Sequence, residues 1–406
     1  MKFDFTSILD RKGHDAMAVD SIGMIPGMTP DPPAEGFDFI PMWVADMNFP
    51  VVPTVQDAII KRVQEPHFGY FLPRDEYFQK IIEWQGKRNG VDGLKSEHIG
   101  YENGVLGGLV SALRAFANPG DSVLVHSPTY IGFTNAVNNA GYRLVHSPLV
   151  QDDQGLYRMD FTDMEHKLAS KNIHVAIFCS PHNPTGRVWE REEIAKAMEL
   201  YKKYDCVVIS DEIWSDIILP GHRHIPVQSI SEDARMRTVA LYAPSKTFNL
   251  AGLVGSYHVI YNSYLRDRQC SAASKAHYNE MNVLSMYALI GAYQPEGCEW
   301  VDELCEVIKG NVDWACAFIK DRFEGVYVSK PQGTYMLFLD CGQWCKTHQY
   351  DVKQLLKDGW RVGVGWQDGR PFHGESHIRM NLALPLSCVQ EAFRRLDTFV
   401  FNGSLE

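Results

Sequence analysis

Lys246 stands in APSKTFNLAG, a small polar turn that directly follows the apolar run RTVALYA. Alone, such a lysine reads as a solvated side chain, because most lysines are exposed. Asp211 and Glu212 close another apolar run, CVVIS, in the same manner. An acid at the end of a buried strand can cap a turn, hold the metal of a nucleotide enzyme, or pair with a protonated ring nitrogen. The metal reading wants a G-x-x-x-x-G-K-[ST] loop, and the chain contains none. An aspartate that keeps a pyridine ring cationic makes that ring an electron sink for a carbanion.

Three further segments carry candidate groups at turns beside apolar runs. In IHVAIFCSPHNPTGRVW, Asn183 lies between two prolines, where it either serves a rigid turn or donates a hydrogen bond to a phenolate oxygen. Tyr130 follows SVLVHS in HSPTYIGF, placed to stack on a ring or to pack in the core. ENGVLGGLVSAL is a glycine turn running into a helix, whose free N–H groups and dipole suit an anion such as phosphate. Arg379 is the lone cation of the strand-like HIRMNLALP. If buried it needs a carboxylate, either a structural one or a substrate's, and its fork matches an α-carboxylate in bidentate fashion. His373 and His377 lack the further ligands that a metal site requires.

The elements that must position these groups follow from periodicity. From about Ile99, short β-rich runs alternate with helix-spaced segments: GVLGGLVSALRAFA, then SVLVHS, TNAVNNAG, YRLVHSPLV, IHVAIFCS, EREEIAKAMELYKKY, CVVIS, RTVALYA and SYHVIY. That alternation predicts a largely parallel sheet covered by helices on both faces, with ligands gathered beyond the carboxyl ends of its strands. After about Met286 the texture changes to a long helix, CEWVDELCEVIKGNVDWACAFIKDRF, then YVSKPQGTYMLFLD, HIRMNLAL and a final helix, SCVQEAFRRLDTFVF. A smaller α+β domain is expected there. Residues 24 to 41 are crowded with Pro and Gly and read as an extended arm. The expected division is an arm over residues 1–48, a large domain over 49–285 and a small domain over 286–406.

The 406 residues, 45% of them hydrophobic, can bury a substantial core. A net charge of -11 without a dense basic run argues against nucleic acid and anionic membranes as partners, and points to a small metabolite. The N-terminal MKFDFTSILDRKG has no signal-peptide h-region, and the nine scattered cysteines form no C-x-x-C pair. A reducing cytoplasm is the expected location.

In this order, NGV, SPTY, SPHNPTG, SDEIW, APSKTFN and HIRMNLA resemble the fold-type-I, aspartate-aminotransferase-like pyridoxal-phosphate enzymes. The resemblance covers nearly the whole chain, and PMWVADMNFP with HFGYFLP narrows it to the MalY/PatB-type cystathionine β-lyases, or cysteine-S-conjugate β-lyases. It implies an α/β fold in which a mostly parallel seven-stranded sheet lies between helices, beside the smaller α+β domain. It also implies pyridoxal 5'-phosphate on Lys246 as a Schiff base, Asp211 on the ring nitrogen, Asn183 on the phenolic oxygen and Tyr130 stacked on the ring. The backbone at Val105 and Leu106, helped by Ser245, then holds the phosphate, and Tyr70 reaches the other subunit's cofactor in a homodimer. Arg379 grips the substrate carboxylate, and Trp43 belongs to the pocket wall. Two departures stand out: Trp214 occupies a position where many relatives have Tyr or His, and Ala243 replaces a phosphate-binding serine.

The activity so implied is β-elimination from a cysteine thioether, with the freed Lys246 amine taking the Cα proton. An aminotransferase would use the same lysine, aspartate and arginine, so only the subgroup resemblance separates the two. A third reading is a protein that keeps the fold to bind a regulatory partner.

Overall fold

The computed structural model describes residues 1–25, 27–276 and 279–403. Its large sheet has eight strands: β1 (Ile99–Glu102), β2 (Ser122–Ser127), β3 (Arg143–Gln151), β4 (Tyr157–Met159), β5 (Val175–Cys179), β6 (Val207–Asp211), β7 (Thr238–Tyr242) and β8 (Ser256–Val259). They lie in the order β1-β8-β7-β6-β5-β2-β3-β4. The run β7-β6-β5-β2-β3 is parallel, whereas β8 is antiparallel to both β7 and β1.

Seven strands were expected and eight are present; neither β1 nor the shorter β4 is among the runs read as strands from the sequence. This three-residue strand pairs antiparallel with β3 at the edge, after a turn in which Asp152 and Leu156 close a backbone hydrogen bond of 3.0 Å. Three residues are too few for a period of two to register in a sequence pattern.

Burial of both faces explains the apolar runs. Val175, Ile177 and Cys179 of β5 enter one core with Leu109 and Leu113, while Ala176 and Phe178 enter another with Ile194 and Met198. Alternate side chains thus serve opposite helix layers, which requires every position to be apolar. The helix Val105–Phe116 contributes Val105, Leu109, Ala112 and Leu113, at the i, i+4, i+7, i+8 spacing of one face. Each fully buried leucine there stabilises the fold by about 1.5–3 kcal/mol.

Residues after 286 build a second sheet of four antiparallel strands, β9 (Tyr327–Val328), β10 (Met336–Asp340), β11 (Gln367–Asp368) and β12 (His377–Asn381), in the order β9-β10-β12-β11. The long helix is Pro295–Arg322. The final helix, expected to run on to Phe401, is regular over Leu386–Leu396 and ends in a π turn at Asp397–Phe401. The Pro/Gly-rich arm is held at its end, where Ile40–Pro41 pairs in parallel with Val364–Gly365. Phe5 anchors its beginning edge-to-face on Phe49 at 5.2 Å. Among the described residues, no helix is long and apolar enough to cross a membrane.

Candidate active site

The carboxyl ends of β2, β5, β6 and β7 meet at one edge of the sheet, where β5 and β2 are neighbours although distant in sequence. Such a reversal of strand order opens a crevice. A cavity of about 210 Å³ fills it, lined by Val105, Leu106, Tyr130, Asn183, Asp211, Trp214, Ser245 and Lys246. Eight of the residues singled out in the sequence therefore face one space.

Lys246 sits in a four-residue helical turn, Pro244–Thr247, just beyond β7. Its Nζ donates to the Ala45 carbonyl at 2.8 Å and lies 5.8 Å from the Trp214 ring. Burial, with Arg379 nearby, pulls its pKa down to about 8, against the opposing pull of Asp46 and Asp211. At that value the amine sheds its proton near neutrality, as a general base must.

Asp211 ends β6 and accepts the Ile213 N–H at 3.0 Å. Burial pushes its carboxyl up to about 7. No ion pair holds it among the described residues, and the charge of Lys246 offsets its burial only in part, so the carboxylate faces the cavity undercompensated. A protonated ring nitrogen is the partner that such a site lacks.

Arg379, on β12, is only 3% exposed. Its guanidinium donates to Asn183 Oδ1 at 3.1 Å, to the Trp43 carbonyl at 3.2 Å and to Gln367 Oε1. Every partner is neutral, Nε has none, and burial pulls the pKa down to about 10. A buried guanidinium without a carboxylate is costly, and a ligand's carboxylate would relieve that cost.

Two glycines shape the walls. Gly104 precedes the helix Val105–Phe116 with φ +75°, a conformation that lets the chain turn from β1 and aim the free N–H groups at the cavity. At Gly132 a Cβ would lie 2.2 Å from the Tyr130 ring, so only glycine lets that ring take its place. Trp214 packs edge-to-face on Tyr335 at 4.7 Å. It is an apolar wall, in keeping with the missing phenol or imidazole at that position.

Three expected residues are outside this cavity's lining: Arg379, which hydrogen-bonds to the lining residue Asn183; Trp43; and Tyr70. Trp43 lines an adjoining cavity and is fixed by its Nε1 donating to the Ala18 carbonyl at 2.9 Å. Tyr70, 108% exposed, lines neither cavity of its own chain. His373 packs at a tilt on His146, His377 stacks on Phe338, and no metal-binding group of three or more ligands occurs among the described residues.

Sequence reasoning missed Ala45, Gln367 and Tyr335. Tyr335 donates to the same Ala45 carbonyl as the lysine, at 3.1 Å. None of the three carries a charge, and only the folded chain brings Ala45 to the cavity, Tyr335 to Ala45 and Gln367 to Arg379.

The aminotransferase class I and II family model matches residues 39–396. The chain belongs to that family. It is 33% identical over 390 residues to "Cystathionine beta-lyase PatB" of Bacillus subtilis, covering 95% of this chain and 97% of that one. The pyridoxal-phosphate-bound C-S lyase of Staphylococcus hominis superposes with a TM-score of 0.86 at 30% identity, covering 97% and 98%. Cystalysin of Treponema denticola, which contains pyridoxal 5'-phosphate, gives 0.88 at 30%, covering 98% of each chain. The residues around the cavity fit that cofactor: an amine for its aldehyde, an undercompensated carboxylate for its ring nitrogen and a helix N-terminus for its phosphate.

Proposed function

We propose that this chain is a pyridoxal-phosphate-dependent carbon–sulfur β-lyase, which cleaves L-cystathionine or a related cysteine thioether to a thiol, pyruvate and ammonia. The observation that carries the reading of an enzyme acting on an amino acid is a lysine amine poised near neutrality in the crevice together with a buried arginine that has no carboxylate and reaches the crevice residue Asn183. The relatives named as C–S lyases, similar over nearly their whole length, favour elimination over amino transfer.

Lys246 holds the cofactor, and Asp211 keeps the ring nitrogen protonated. Asn183 serves the phenolic oxygen, Tyr130 covers the ring face, and the helix starting at Val105 and Leu106, with Ser245, receives the phosphate. Bound there, pyridoxal phosphate supplies a sink for the electron pair left at the substrate's Cα. Arg379 binds the α-carboxylate through its fork and sets the orientation of Cα. The freed Lys246 amine, kept near the Ala45 carbonyl, takes the Cα proton, and the bond to the β-sulfur then breaks.

We read residues 1–48 as the arm, 49–285 as the large domain and 286–406 as the small domain. A cytoplasmic homodimer in which Tyr70 reaches the partner's cofactor completes the proposal. Phe68, Tyr70 and Leu72, all strongly exposed on one segment, support it.

The test is incubation of the cofactor-loaded protein with L-cystathionine and no keto acid. Pyruvate and a free thiol are expected, and Lys246→Ala should lower the rate at least about a thousandfold while abolishing the near-visible absorption of the lysine-bound cofactor. Transfer of the amino group to an added keto acid without thiol release would sink the lyase reading in favour of an aminotransferase.

A further inference from the structure

The carbonyl that receives the Lys246 amine also receives a second donor. Lys246 Nζ donates to the Ala45 oxygen at 2.8 Å and Tyr335 Oη donates to it at 3.1 Å, so both lone pairs of that oxygen are taken. The oxygen has little freedom to turn away. Asn381 donates through Nδ2 to the carbonyls on either side, Val44 at 2.7 Å and Asp46 at 2.5 Å. Asn249, three residues beyond the lysine, exchanges hydrogen bonds with the Met47 backbone at 2.9 and 3.0 Å. The arm thus presents one fixed acceptor to two donors from different elements.

Packing alone does not call for the Tyr335 hydroxyl. The ring is fully buried and meets Trp214 edge-to-face at 4.7 Å, a contact that a phenylalanine would make equally well. The backbone that aims it is strained. Thr334, buried and β-branched, is held at φ +65°, a region such a residue rarely enters, with its N–H on the Ile217 carbonyl at 2.8 Å. Conformations of that kind persist only where the surrounding structure enforces them, and they gather at functional sites. The strained residue and the buried hydroxyl both lead to the atom beside the amine.

We propose that Tyr335 is a positioning residue for the base. Its hydroxyl fills one acceptor direction of the Ala45 carbonyl, which leaves a single direction to Lys246 and weakens the carbonyl's hold on the protonated amine relative to the neutral one. A carbonyl that already accepts from a hydroxyl sets the partial positive charge of that proton beside an incoming ammonium, so the ammonium loses more than the amine does. The charges facing the amine are Asp211 on β6, Arg379 on β12 and Asp46 on the arm, itself ion-paired with Arg11. Asp46, Arg379 and Arg11 also face the Tyr335 hydroxyl, and loss of that hydroxyl removes none of them. The inference rests on Lys246 acting as the base in the reading above, and names what holds it ready.

The test is Tyr335→Phe, which removes only the oxygen. The Ala45 carbonyl keeps Lys246 as its donor, so no buried acceptor is orphaned, and the cofactor-free variant should unfold within about 4 °C of the parent. In that cofactor-free protein, Lys246 is labelled with trace acetic anhydride, read by mass spectrometry and normalised to exposed lysines of the same chain. Labelling should be about three- to tenfold slower than in the parent at pH 7, and equal to it above about pH 10. In the cofactor-loaded enzyme, kcat for pyruvate release from L-cystathionine should fall by a similar factor at pH 7, with KM little changed, and recover as pH rises. A merely structural defect would not be rescued by pH. Labelling that follows the parent's curve at every pH overturns the proposal, and so does a loss of kcat that persists at high pH. Absence of pyruvate from the loaded parent overturns the lyase reading instead, and the labelling curves still decide the role of Tyr335.

Discussion

Asp211 shows how one residue can be mismatched to its own protein and matched to a ligand. Burial lifts its carboxyl from 3.8 to about 7, so the folded chain without cofactor holds that proton more tightly than the unfolded chain does. The residue's contribution to stability is therefore fully present below about pH 4 and is lost as pH rises through about 7. Asp211→Asn removes this loss. Relative to the parent, the cofactor-free variant should gain stability between about pH 4 and pH 8, by up to about 4 kcal/mol. Its affinity for pyridoxal phosphate should fall, because the ring nitrogen loses its counter-charge. Thermal unfolding of both cofactor-free proteins across that range measures the difference, and a difference independent of pH would refute the account. Asp211, Asn183 and Lys246 were legible because each follows an apolar strand. Gln367 was not, since a neutral side chain in a short loop-like strand becomes notable only once Arg379 lies across from it.

At the scale of elements, the helix Val105–Phe116 and its start decide where an anion can sit. Gly104 has φ +75° and ψ 156°, a region open almost only to glycine, while the nearest atom to a Cβ there would be Val254 Cγ1 at 3.8 Å. The constraint is thus in the backbone and not in crowding. Gly104→Ala should cost about 1–3 kcal/mol in denaturant unfolding of the cofactor-free protein, and should weaken phosphate binding by displacing the first turn. Retained stability with unchanged cofactor affinity would contradict it. Gly132 differs, because there the Tyr130 ring itself occupies the Cβ position. The helix was readable from its apolar spacing, whereas the role of each glycine depends on φ and on neighbours that no local pattern encodes.

For the whole molecule, the exposed segment bearing Phe68, Tyr70 and Leu72 is an apolar projection with no site of its own. A dimer in which it completes the partner's crevice predicts complementation between subunits. Lys246→Ala and Tyr70→Ala should each be impaired alone. Mixed and re-equilibrated, they should recover about a quarter of parental activity, because half the dimers are hybrids with one intact site. Activity no greater than the sum of the separate variants would show that Tyr70 does not act across an interface. Sedimentation equilibrium gives the oligomeric state independently.

Alternation of buried strands with amphipathic helices is written in residue order, so the sheet's layered class and the strand ends carrying Tyr130, Asn183, Asp211 and Lys246 could be read from the sequence. Burial dictates that pattern position by position, and each strand announces its own end. Which strands become neighbours is a different matter. The order that joins β5 to β2 and opens the crevice, and the packing that sets Ala45 and Arg379 against residues some 200 positions away, depend on contacts between distant segments. So do the lowered pKa of Lys246 and the raised one of Asp211, because desolvation is a property of everything packed around a group and not of its neighbours in the chain.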